Sequence, residues 1–153
     1  MTPLDKNKDV PRKPGELQAY LVEDDVHIFK GALVVANDAG YAEPATNAVG
    51  KVLLGVAFEE CDNTLEEHSQ GGKSCRVYRG GAFKLLTDDL AQADVGILCY
   101  VEDDATVNDA GTATQGVIAG TVVEIKSATE VWVDIAAGVL AGELSAAVNA
   151  DTQ

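Results

Sequence analysis

Apolar and polar residues change places at every second position over several short stretches, each closed by a turn former. Residues 129–135 alternate most regularly, with Val131, Val133 and Ile135 on one side and Glu130, Trp132 and Asp134 on the other. A period of two marks a half-buried strand. The lone Trp132 therefore either faces outward, into a subunit contact, or packs at a sheet edge. Residues 74–79 alternate in the same way, Gly80-Gly81 supplies a turn or bulge, and residues 82–86 read as the next strand.

Two longer stretches share one plan. Residues 31–60 (GALVVANDAGYAEPATNAVGKVLLGVAFEE) and residues 96–125 each place a branched, apolar run on either side of a small, polar connection. An ungapped offset of 65 positions sets Gly31 on Gly96, Leu33 on Leu98, Val52 on Val117, Gly55 on Gly120 and Glu59 on Glu124. The match predicts an internal repeat, and two copies are too few for a solenoid, so they read as two related strand-loop-strand halves of one β domain.

The remaining segments fit around these halves. Residues 17–22 open the β domain, and residues 26–29 form a short strand in which His27, opposite Val26 and Ile28, points to solvent or an interface. Residues 62–73 are a polar, Gly-closed insertion with no counterpart in the second half, expected as a loop or hairpin tip. Thr87 followed by Asp88 and Asp89 predicts an N-cap and one helical turn over residues 90–92. The boundaries expected are an arm over 1–16, a β domain over 17–135, and an Ala/Gly-rich segment over 136–153. In the last, Val139, Leu140 and Leu144 allow a short amphipathic helix weakened by Gly138 and Gly142.

Composition narrows the picture. At 153 residues the chain can bury a full core without staples. Aromatics make up only 5%, so that core is aliphatic. The net charge of −14 argues against nucleic acid as a partner, and no apolar run reaches the ~18 residues needed to cross a bilayer. The start is polar, without the apolar region of a secretory leader. Three widely spaced cysteines fit a reducing cytosol; Cys99 reads as a core residue, and a Cys61–Cys75 bridge has no support from the sequence. The arm differs in sign from the body. Over residues 1–15, Lys6, Lys8, Arg12 and Lys13 against Asp5 and Asp9 give +2, which leaves residues 16–153 at −16. Its prolines, Pro3, Pro11 and Pro14, lower the entropy lost if it orders on an acidic neighbour.

No motif for catalysis, metal or cofactor stands out. G-x-S-x-G, H-E-x-x-H and C-x-x-C are missing, and Gly71-Gly72-Lys73-Ser74 lacks the earlier glycine of a phosphate loop, having Glu67 there. The paired acids, such as Asp24-Asp25 and Glu102-Asp103-Asp104, read as solvated turn residues. No enzymatic activity, cofactor or metal is expected.

The succession HIFKGALVV, GKVLLGVAFEE, GGAFKL, DVGILCYVEDDATVNDAGT and GVIAGTVVEIKSATEVWVDI resembles the head decoration, or capsid cement, proteins of tailed bacteriophages, over roughly residues 17–135. The resemblance implies a mainly β fold: a compact single-domain β-barrel or sandwich of the β-tulip type, with at most short helices. It implies a homotrimer on the outer surface of the virion, made in the host cytoplasm, that bridges neighbouring copies of the major capsid protein. The arm residues Lys6, Lys8, Arg12 and Lys13 stand where the capsid-binding arm of that family would need them. The insertion at 62–73 and the segment 136–153 depart from the pattern. The alternatives are another virion surface module, such as a fibre base or a carbohydrate-binding domain, or a small hydrolase using a carboxylate pair.

Overall fold

The computed structural model describes residues 3, 6, 7 and 16–140. It is mainly β and sandwich-like, as the alternation predicts. The first sheet runs, in spatial order, β1 (Leu17–Leu21), β7 (Ser74–Tyr78), β5 (Val52–Ala57), β3 (Leu33–Ala36) and β4 (Ala42–Pro44). The second runs β8 (Ala82–Leu86), β12 (Glu130–Asp134), β11 (Ile118–Ile125), β9 (Leu98–Val101) and β10 (Val107–Asn108). A two-stranded ribbon joins β2 (His27–Ile28) to β6 (Cys61–Asp62).

The two large sheets have one register. Leu17 pairs with Tyr78 as Ala82 pairs with Asp134. Leu33 pairs with Val56 as Leu98 pairs with Thr121, and Val34 with Gly55 as Cys99 with Gly120. Each ladder then slips by one residue, at Leu54 and at Ala119. The glycine at each slip is a packing necessity. A Cβ on Gly55 would lie 1.8 Å from the Tyr78 carbonyl oxygen, and one on Gly120 would lie 2.2 Å from that of Asp134. Such β-bulges bend a strand and raise its twist.

The sheets stack front to back. The front of the first sheet presents Val34, Ala42, Ala57, Cys75 and Val77, with Tyr20 and Leu54 against them, to a small core shared with Ile28 and Cys61 of the ribbon. Their counterparts in the second sheet are Cys99, Val107, Val122, Val131, Val133, Leu85 and Ala119, and all of these belong to the larger core. What covers them is the back of the first sheet: Leu33, Val35, Leu53 and Val56. Each fully buried Val or Leu contributes about 1.5–3 kcal/mol, so this core, with sixteen buried residues against nine, dominates cohesion.

One local expectation is corrected, and two others gain detail. The turn is a 3-10 segment at Gln92–Asp94, not a helical turn at 90–92. Buried Thr87 spends its hydroxyl accepting from the Leu90 N–H at 3.1 Å, while the Asp94 carboxylate accepts from the Ala91 N–H at 2.8 Å. Cys61 and Cys75 are free thiols, and Cys61 donates to the Ser74 carbonyl at 3.4 Å. The insertion is a loop that the fold holds tightly, because Asn63, almost fully buried, donates to the Glu23 and Ser69 carbonyls, both at 2.8 Å.

Candidate interaction surfaces

The ribbon end gathers the polar chemistry. β2 and β6 pair His27 with Asp62, so the two side chains share a face. His27 Nε2 lies 2.9 Å from Glu60 Oε2, and its ring stacks on Phe29 at 4.1 Å between centroids. Phe29 is 56% exposed. Thr64 donates hydroxyl and N–H to Asp62, and with the charge of His27 these bonds hold the Asp62 carboxyl below its ordinary range. Across the insertion, His68 Nδ1 meets Asp24 Oδ1 at 2.6 Å, which raises the His68 pKa. Among the described residues no group of three or more His, Cys, Asp or Glu side chains is arranged to hold a metal ion.

The back of the second sheet is the apolar surface. Its residues Leu98, Tyr100, Ala110 and Ile118 correspond in register to Leu33, Val35, Ala45 and Leu53, which are buried in the first sheet. Here nothing described covers them: Ile97 is 50% and Leu98 40% exposed, with Val95 exposed beside them. A groove of about 650 Å³ runs between Gly96, Ile97, Leu98 and Tyr100 on one side and Asp109–Gly111 on the other.

The path of the chain after β10 shapes the groove. In the first sheet Pro44 keeps the chain extended, and the next residue, Ala45, donates its N–H to the Leu33 carbonyl at 2.9 Å. At the matching position stands Asp109. Its Oδ1 accepts from the Gly111 and Thr112 N–H groups at 2.9 and 3.0 Å, and its carbonyl from that of Ala113. This Asx-turn swings the chain away from β9. The Ile97 carbonyl is bonded toward β11 by the Val122 N–H, so strand alternation aims the Leu98 N–H and carbonyl into the groove.

Lys6 is exposed, and Lys8, Arg12 and Lys13 lie outside the described residues. The chain leaving the arm enters β1, which is an end strand of the first sheet and among the described residues pairs with β7 alone. Trp132 is half-buried, opposite the buried Val131 and Val133, and its cross-strand neighbours are Glu124 and Lys84. The groove at Leu98 and the Phe29–His27 stack were not singled out from sequence. The signal for the former is Asp109 at the place, 65 positions on, that Pro44 holds in the first stretch. The chain matches no protein-family model, no curated protein and no solved structure.

Proposed function

We propose that this protein is a structural component of a phage virion, binding the outer surface of the assembled capsid and bridging neighbouring major capsid subunits as a homotrimer. The observation that carries the reading is the junction of arm and body. A segment of charge +2 leads into an end strand of a body of charge −16. An arm so joined can lie on an acidic neighbour while β1 offers its free edge for strand addition. Lys6, Lys8, Arg12 and Lys13 supply its charge, and Trp132 with its half-buried ring is assigned to the contact between copies. Many weak contacts on a lattice add through multivalency.

The test is co-sedimentation with expanded, empty shells, comparing the full chain with one lacking residues 1–15. The full chain is expected to pellet with shells and the shortened chain to bind at least about tenfold more weakly, a loss of ~1.4 kcal/mol. Equal binding by both removes the arm from the mechanism, and binding by neither removes the capsid reading. One observation favours the second reading, a carbohydrate-binding surface module: the exposed Phe29 ring, stacked on His27 beside Glu60, pairs an apolar platform with polar groups. Glycan binding abolished by Phe29→Ala would establish it.

A further inference from the structure

The molecule carries its own example of how the groove at Leu98 is filled. In the first sheet the matching residue, Leu33, has both backbone groups bonded. Its carbonyl accepts from the Ala45 N–H at 2.9 Å, and its N–H donates to the Asp104 carbonyl at 2.8 Å. Ala45 is buried there with Leu33, Val35 and Leu53. In the second sheet the residue that would repeat its bond, Ala110, is carried off by the turn at Asp109. The Leu98 N–H and carbonyl are left without a backbone partner among the described residues.

We infer that this groove takes an extended segment of another protein, added to β9 at Leu98, with a small apolar residue in the place of Ala45 and a basic residue beside it. Backbone, size and charge each define the occupant. Leu98 offers a donor and an acceptor from one residue, the pair that an antiparallel neighbour satisfies. Alanine holds the corresponding place in the first sheet against Leu33 and Val35, as the occupant would against Leu98 and Tyr100. Asp109 is the charged residue of the groove wall, and residues 16–153 carry −16. A basic segment is therefore drawn in and an acidic one repelled.

The open edge is short. On one side of Leu98, β10 already pairs with Tyr100 and Val101. On the other, the Ile97 N–H is taken by the Asp94 carbonyl and the Gly96 N–H by that of Val122. Two backbone bonds at Leu98 therefore set the register of the bound segment, and cover of the exposed Ile97 and Leu98 side chains supplies most of the affinity. The groove volume of about 650 Å³ falls within the ~300–1,000 Å³ of ligand clefts. The body of a second copy carries the same −16 and is opposed by like charge. The inference does not depend on the capsid reading.

The probe is a capped peptide, AKPATN, which copies residues 42–47 with Lys in place of Glu43. It is titrated into the full chain beside two relatives: AEPATN, and AKPATN with an N-methyl group on its second alanine, which removes the N–H meant for the Leu98 carbonyl. Binding is read by calorimetry and by amide exchange at Leu98, with residues 131–135 as an internal record of folding. At saturation AKPATN is expected to slow exchange at Leu98 by about tenfold. Each relative should bind about tenfold more weakly. Ile97→Lys, at an exposed position, should weaken AKPATN by a similar factor while 131–135 stays protected. Equal binding of the three peptides, binding of none, or unchanged binding to Ile97→Lys overturns the inference. So does a Leu98 amide already protected in the free protein: protection that grows with protein concentration means that a second copy fills the groove, and protection that does not means that the chain fills it itself.

Discussion

Leu33 and Leu98 hold the same place in two sheets of identical register, yet Leu33 is fully buried between the sheets and Leu98 faces an open groove. The front-to-back stack accounts for the difference, since it covers the back of the first sheet and leaves that of the second.

Truncating the two leucines should therefore have unequal effects. Leu33→Ala leaves a cavity in the main core and is expected to cost about 2–5 kcal/mol. Leu98→Ala, at a side chain 40% exposed, should cost under ~1 kcal/mol. Urea unfolding of the two variants measures both; equal losses would contradict front-to-back stacking.

Gly120 holds the register position in the second sheet that Gly55 holds in the first, and at both places sterics exclude a side chain. Gly120→Ala puts a methyl group 2.2 Å from the Asp134 carbonyl oxygen, and that oxygen is backbone held in β12. The variant must break the β11–β12 ladder at this point, with a loss of several kcal/mol expected. Gly31→Ala is the comparison: its Cβ meets nothing within 4 Å, so only its positive φ of 88° opposes the change, at about 1 kcal/mol. Thermal unfolding of the pair separates crowding from backbone strain.

The insertion depends on Asn63. Asn63→Ala removes the donor to the Val22, Glu23 and Ser69 carbonyls in a buried place, at about 1–3 kcal/mol. Exchange of residues 62–73 should rise first, because the loop loses its anchor before the sheets do.

The His68–Asp24 contact sets a pH dependence. The His68 pKa is raised above 6.5 by its bond to Asp24 and by the charges of Asp24 and Asp25. A raised folded-state pKa contributes stability that is fully present below 6.5 and is lost as pH rises through the folded value. Asp62 works in the opposite sense: its pKa is lowered below 3.8, so its contribution is present above 3.8 and is lost as pH falls through the folded value. His68→Gln should flatten the neutral-side slope in a pH series of melting temperatures and leave the acid limb intact.

The thiols should be silent in the folded state. Burial pushes the Cys99 pKa up to about 12 and raises those of Cys61 and Cys75. A thiol reagent at pH 8 is expected to modify none of them in native protein and all three in urea.

Much of the strand plan was legible in the residues. Val131, Val133 and Ile135 alternate with polar neighbours, and all three are buried. Gly55 and Gly120 sit at one register position, and both prove to be places without room for a side chain. The short strand at 26–29 was legible, but its pairing with β6 was not, because His27-Ile28 and Cys61-Asp62 are two residues each and far apart in sequence. Nor was the open face, since a period of two tells which residues share a side and not what covers that side. Thr87 misled for a local reason: its hydroxyl closes a tight turn as readily as it caps a helix.

The central claim is that binding fastens a shell, and shell stability measures this directly. Expanded shells are heated with and without saturating protein, and their disruption is followed by light scattering. A ligand that binds only the assembled state must raise the temperature at which that state is lost. The account predicts an upward shift that grows with protein concentration until the sites are filled; a disruption temperature unchanged at saturation would contradict it.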